Sequence, residues 1–209
     1  MDATDEALCQ RVAERDEAAF ALLVARYQGR AYRLAWSLVR DVEDARDISQ
    51  EAFVRLYQSA AGFRGGARFS TWFYRIVVNQ CLDHRRRQRW WRRWVARDEA
   101  TADEGPSLVE RQPTDEQAPG ARCEAAQMSE RLWRAVDALP PKQRAAIVLQ
   151  VQEELPTSEI AAVLECSEPT VRVHLSRAVS ALRKIMTREQ LDNTMARADA
   201  RPAMAREDA

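Results

Sequence analysis

Five side chains, Trp72, Arg75, Asn79, Asp83 and Arg86, follow one another at steps of three and four. In a helix that spacing makes one continuous ridge. A ridge of this composition suits nucleic acid: an exposed amide reads a base edge, and guanidinium groups hold phosphate or brace a loop. Just ahead of it, Phe63 and Arg64 stand in FRGGARFS. The glycines there favour a pliable loop that can receive an unstacked base. At least one of Phe69 and Trp72 is expected in the core instead. The ridge continues into RRRQRWWRRW at 85–94. Basic residues interleaved with aromatic ones suit single-stranded or junction DNA, through phosphate attraction and stacking. Trp90, Trp91 and Trp94 serve equally well to pack the helix end against its own domain.

A second group lies near the other end, in TSEIAAVLECSEPTVRVHLSRAVSALRK at 157–184. Ser158 is placed to cap a short helix holding Ile160, Ala161 and Leu164. A turn falls at Glu165–Ser167, and Ser167 or Glu168 opens a further helix with Pro169 in its first turn. That helix buries Val171, Leu175, Ala178, Val179 and Leu182, and the small Ala161 lets the two helices cross closely. Arg172, Val173, Ser176 and Arg177 then face outward. The pattern is a helix-turn-helix, whose second helix enters a major groove; the bland version is a helical hairpin with a solvated face.

No sequence feature supplies a reaction. The chain has no GxxxxGK[ST] phosphate loop, no nucleophile paired with a histidine, and only two histidines beside four scattered cysteines (Cys9, Cys81, Cys123, Cys166). That excludes a recognisable metal site, and no catalytic residue, cofactor or small-molecule substrate is expected. Formal charge sums to zero, but its distribution is uneven. Residues 64–94 carry nine arginines against one acid, a net +8, while 95–127 carry three basic and eight acidic residues, a net −5. Phosphate attraction is local, so the basic stripe outweighs the zero sum. The N-terminus is acidic and lacks an apolar core, unlike a secretory signal, and no apolar run reaches membrane-spanning length. A cytoplasmic protein without membrane insertion is expected.

These groups need helices to position them. Asp16 is a plausible cap for a helix with Phe20, Leu23, Tyr27, Ala31, Leu34 and Leu38 on one stripe; after DVED a second carries Ala45, Ile48, Ala52 and Leu56. Ser70 is placed to cap the helix of the basic ridge. From about residue 95 to 126 periodicity fails, in an acidic stretch with Pro and Gly that reads as a tether. It resumes at Met128, Leu132, Val136 and Leu139, and Pro140–Pro141 divides two helices. The expected architecture is all-α: a domain at 10–94, an acidic linker at 95–127, a helix-turn-helix domain at 128–186, and a poorly ordered tail at 187–209.

The strings DVEDARDISQEAFVRLY and FRGGARFSTWFYRIVVNQCLDHRRR, followed in order by LPPKQRAAIVLQ, SEIAAVL and TVRVHLSRAVSALR, resemble the extracytoplasmic-function (ECF) group of the sigma-70 family of bacterial RNA polymerase sigma factors. The resemblance covers roughly residues 10–90 and 128–184. It implies a non-enzymatic alternative sigma factor directing promoter recognition, promoter melting and transcription initiation. The DISQEA helix is then expected to dock on core RNA polymerase through Asp47, Gln50, Glu51 and Arg55. Promoter contact at the −10 element is implied for Phe63, Arg64, Trp72, Arg75, Asn79, Asp83 and Arg86. At the −35 element it is implied for Thr170, Arg172, Val173, His174, Ser176 and Arg177. An anti-sigma factor is a further implied partner. The chain departs from the family pattern at Glu165 and Pro169, where glycines are usual, and at Val173 and His174, so its −35 preference does not transfer. A free-standing helix-turn-helix regulator and a polymerase-binding decoy are the competing readings.

Overall fold

The computed structural model describes residues 3–98 and 119–199, and these form eight α-helices with no strand among them. The first four build one helical unit: α1 (Asp5–Ala13), α2 (Glu17–Val39), α3 (Val42–Ser59) and α4 (Phe69–Asp98). Side-chain oxygens set their starts. Asp16 Oδ1 accepts from Ala19 N–H at 3.0 Å and Asp41 Oδ1 from Asp44 N–H at 2.9 Å, each satisfying a donor that has no partner within the helix. The expected Ser70 cap does not form. Helix α4 begins at Phe69, and its first N–H donates to Glu6 Oε1 of α1 at 3.0 Å. A carboxylate from a distant helix therefore does what a local hydroxyl was expected to do, and its charge also suits the positive end of the helix dipole.

The core of this unit is aromatic. Tyr27 meets Phe69 and Phe73 edge to face, at centroid distances of 5.1 and 5.5 Å. Leu8, Leu23, Leu34, Leu56, Val77 and Val78 close around them with no exposed surface. Burying each such side chain contributes about 1.5–3 kcal/mol. The Tyr27 hydroxyl donates to Asp5 Oδ2 at 2.6 Å; burial and that carboxylate together push its pKa well above the ordinary tyrosine value.

The second unit comprises α5 (Pro119–Asp137), α6 (Pro141–Gln152), α7 (Thr157–Leu164) and α8 (Glu168–Asp199). Ala145, Leu149, Ile160, Val163, Val171 and Ala178 are buried between α6, α7 and α8. Ser167 Oγ accepts from Thr170 N–H at 3.3 Å, so Ser167 caps α8 as expected. Ser158 does not cap α7. Pro156 occupies the cap position, and Thr157 already lies in the first turn. Val179 is exposed rather than buried, on the rim of a shallow depression that Gln150 of α6 and Thr157 of α7 also line.

Helix lengths also differ from expectation. The backbone of α4 continues to Asp98 and that of α5 starts at Pro119, so both ends of the expected linker are helical; its middle, 99–118, lies outside the described residues. Helix α8 runs to Asp199 instead of stopping at Met186, which corrects the ordered-tail boundary; 200–209 lie outside the described residues. Leu, Met, Arg, Glu and Ala dominate that extension, and all favour helix.

The two units pack against one another. Their interface centres on the C-terminus of α2. Arg40 takes the left-handed conformation (φ 64°) there, with its guanidinium 3.8 Å from the Trp36 ring centroid and 4.5 Å from that of Trp133 on α5. Its Nε lies 3.5 Å from Asp137. Arg144 of α6 is almost completely buried and donates to the carbonyls of Leu38 (3.0 Å), Val136 (3.1 Å) and Asp137, and pairs with the Asp137 carboxylate at 2.9 Å. The Leu38 carbonyl, one of the last in α2, also accepts from Arg85 of α4 at 2.7 Å. Burial raises the Asp137 pKa, while Arg40 and Arg85 pull it down.

Candidate nucleic-acid interface

The loop between α3 and α4 is the first element of the site. After a 3-10 turn at Ala60–Gly62, the chain opens through Phe63–Arg68, and Gly65 takes a φ of 70° that a residue with Cβ adopts only with strain. Phe63 is half-buried, with its ring 5.4 Å from Trp72 and 6.1 Å from Phe69. Phe69 is fully buried and Trp72 half-buried, so of the two expected alternatives Phe69 is the core residue. Loop and helix together wall a cleft of about 190 Å³, lined by Phe63, Arg64, Thr71, Trp72 and Arg75 on this side and by Ala162 of α7 on the other. A cleft with an aromatic wall and arginines at its rim has the chemistry to hold one planar base beside its phosphate.

Along α4 the ridge continues as spaced. Asn79 is exposed, and Asp83 pairs with Arg86 at 3.1 Å on the solvent face. Arg75 is half-buried and pairs with Glu165 of α7 at 3.8 Å. Helix α4 is fixed to α3 by His84 and Gln88, which lie 2.9 and 3.0 Å from Asp44 Oδ2. Trp90, Trp91 and Trp94 are all more than half exposed, and the last two rings stack on each other at 5.5 Å. They do not pack the helix end into its own domain, which leaves that alternative without support.

The face expected to meet polymerase is open. Asp47, Gln50, Glu51 and Arg55 are exposed on α3, opposite the buried Ala45, Ile48 and Ala52, and Glu51 and Arg55 pair at 3.2 Å. The helix-turn-helix is formed by α7 and α8. Glu165 stands at its turn in the left-handed region (φ 51°), which is why glycine is the ordinary residue at such a position. Thr170, Arg172, Val173, Ser176 and Arg177 are exposed along the first turns of α8. His174 is half-buried; burial, then Lys142 and Arg177, lower its pKa, so it presents a neutral ring.

Sequence reading missed Arg144, Arg40, Trp36 and Trp133, which join the units, and Glu6, which caps α4. Among the described residues no group of acidic, histidine or cysteine side chains is arranged to hold a metal ion, and no helix is long and apolar enough to cross a membrane.

Fold and site together define a two-unit helical protein with a base-sized cleft on one unit, closed on its far side by α7, and a helix-turn-helix in the other. The model of sigma-70 region 2 matches residues 23–91, and that of sigma-70 region 4 matches 129–182. The chain is 32% identical to the RNA polymerase sigma-H factor of Pseudomonas aeruginosa over 184 residues, covering 87% of this chain and 93% of that one. It is 33% identical to the ECF RNA polymerase sigma-E factor of Escherichia coli K12 over 188 residues, covering 86% and 92%. Among solved structures, the sigma factor RpoE in complex with the anti-sigma factor NepR from Bartonella quintana shares the fold, with a TM-score of 0.61 at 19% identity, over 80% of this chain and 96% of that one. The chain belongs to the ECF group of the sigma-70 family. It is an RNA polymerase sigma factor, a protein of promoter recognition and transcription initiation.

Proposed function

We propose that this sigma factor divides its work among three exposed surfaces. The α3 face at Asp47, Gln50, Glu51 and Arg55 docks on core RNA polymerase. The cleft beside Phe63, Arg64 and Trp72 takes an unstacked base of the melted −10 strand, while Arg75, Asn79, Asp83 and Arg86 order the strand along α4. The start of α8, with Thr170, Arg172, Val173, Ser176 and Arg177, reads the −35 duplex. His174 is a lesser contributor, since its ring is neutral and half-buried. The exposed Arg86, Arg87 and Arg89 extend the phosphate track.

The observation that carries this reading is that one chain holds two DNA-facing elements of different kinds. A base-sized cleft suits a single strand, and a helix-turn-helix suits a duplex. A free-standing regulator would use two copies of the same helix on a palindrome and has no need of the cleft. The acidic 95–127 segment joins the two readers within the polymerase. The chain performs no reaction itself and acts in the cytoplasm. An anti-sigma factor is its expected restraint, as NepR is the partner of RpoE in the structure compared above.

Reconstituted transcription is the test: purified chain, sigma-free core polymerase and genomic fragments, with RNA 5′ ends read out. Discrete starts sharing two spaced upstream elements are expected. Asn79→Ala and Arg177→Ala should each lower initiation while core binding persists. Normal transcription from both variants would sink these residue assignments, and absence of core binding by the wild type would sink the docking face.

A further inference from the structure

The face of α4 that carries the −10 ridge ends in aromatic rings for which that assignment has no use. Trp72 and Trp90 are eighteen residues apart, which is five turns of helix, so they share one direction with about 27 Å between them. Asn79, Asp83 and Arg86 lie on the line that joins them, and Trp94 continues it by one turn. Trp90, Trp91 and Trp94 are more than half exposed, whereas every other aromatic side chain of the protein is buried or half-buried. Trp91 and Trp94 stack on each other with centroids 5.5 Å apart and planes 29° from parallel. That contact uses one face of each ring and leaves the other for a further planar group.

The arrangement of charge says what covers these rings. Arg87 precedes Trp90 and Trp91 by three and four residues, so it stands inside the aromatic stripe, and Arg86 and Arg89 are exposed along its edge. A helix lying in a membrane surface keeps its cations on the face opposite its apolar one. Here a cation sits among the rings. Rings alternating with guanidinium groups match the repeat of a nucleic-acid strand, one base and one phosphate per unit. A duplex hides the faces of its bases within the stack, so rings that offer their own faces suit a single strand.

We infer that Trp90, Trp91 and Trp94, with Arg87 among them, form a second stacking site for single-stranded DNA. Its continuity with the strand path along α4 rests on the −10 assignment made above. A strand stacked as in duplex DNA advances about 3.4 Å per nucleotide, so the distance from Trp72 to Trp90 corresponds to about eight nucleotides. The site reads no sequence, because a ring accepts any base and Arg87 meets phosphate. Its work is to retain a strand while the cleft selects a base.

The test uses the full chain with a fluorescein-labelled 12-nucleotide single strand of mixed sequence, and the matching duplex as control. The rings are exposed, so their replacement leaves the core intact. Trp91→Ala combined with Trp94→Ala should weaken single-strand binding on the order of tenfold, the loss expected for one unstacked base. Duplex binding should change less than twofold. The double Trp→Phe variant should keep most of the affinity and the double Trp→Leu variant should not, because stacking needs a ring and apolar area alone does not replace it. Arg87→Gln should lower the slope of log affinity against log salt by about 0.7, and the tryptophan variants should leave that slope unchanged. Single-strand binding that is absent in the wild type, or unchanged in the double alanine variant, overturns the proposal, as does an equal loss for duplex. So does ring-dependent binding to vesicles of equal phosphatidylglycerol and phosphatidylcholine with strand binding indifferent to the rings. Phe63→Ala separates this site from the cleft. Loss there, with none at Trp91 and Trp94, keeps the cleft and overturns the stacking site; the reverse overturns the cleft assignment and leaves the stacking site standing.

Discussion

Arg144 offers the sharpest test of how the two units are held. Its guanidinium is buried and donates to the Leu38, Val136 and Asp137 carbonyls as well as pairing with the Asp137 carboxylate. Replacing it with Ala removes a buried cation and strands several acceptors. Deleting one member of a buried pair costs about 3–5 kcal/mol. Two features lower that here: Leu38 keeps its bond from Arg85, and Asp137 is about one-third exposed and keeps Arg40. The expected loss for Arg144→Ala is about 3 kcal/mol, the lower end of that range. With a slope of ~2 kcal/mol per M urea, the midpoint should fall by about 1.5 M. Arg144→Lys keeps a charge without the planar fork and should lose about half as much. Because the residue bridges both units, calorimetry on Arg144→Ala should also split one thermal transition towards two. A shift under about 0.5 kcal/mol, within the range of ordinary surface substitutions, would refute the assignment of Arg144 as the joint.

Other expectations follow from the same contacts. Glu6→Ala removes the acceptor for the first N–H of α4 and should cost about 1 kcal/mol in urea unfolding; no loss would mean that Ser70 or water takes over the cap. Burial pushes the Cys81 thiol up to about 12 and Cys9 up to about 11, so both should resist iodoacetamide at pH 8 in the native chain and react in urea. Rapid native labelling at either position would contradict the packing. His174 has a lowered pKa in the fold. Its contribution to stability is therefore complete above the unfolded value of about 6.5 and is lost as pH falls through the lower folded value. His174→Gln should flatten the urea-midpoint profile between pH 7.5 and 5.5, and an unchanged profile would assign the slope to other groups.

Local features were legible because their causes are local. Asp16 and Ser167 cap their helices within three residues, the apolar stripes of α2 and α3 repeat at helical steps, and the glycine loop opens where glycine stands. The outward ridge at Asn79, Asp83 and Arg86 followed from spacing alone. Distant partners were not legible. Glu6 reaches across 63 positions to cap α4, and Arg144 meets Leu38 across 106; nothing near either residue announces the acceptor it will find. Trp36 and Trp133 each sit at the edge of an apolar stripe, where a ring can face solvent or a partner, and only the meeting of the units makes them flank Arg40. The helical extension of α8 was missed because the tail's polar composition was read as lack of order, although its residues are good helix formers.

The composition of the joint bears on how the molecule works. Buried apolar residues of both units, among them Leu34 and Leu38 of the first and Ala145 and Leu149 of the second, belong to one continuous core, and polar contacts flank it: Ser37 to Gln152 at 2.7 Å, Thr71 and Arg68 to Glu159, Arg75 to Glu165, and Arg144 to the end of α2. Water satisfies most of the polar groups once the units separate, whereas the shared apolar core loses its burial energy on opening. Separation therefore carries a cost that a binding partner has to offset. If the open form is one part in a hundred, a ligand that needs it binds about a hundredfold more weakly, and a partner favouring the open form by about 3 kcal/mol removes that penalty. On the docking proposed above, core polymerase would meet the exposed α3 face and so be placed to supply that preference.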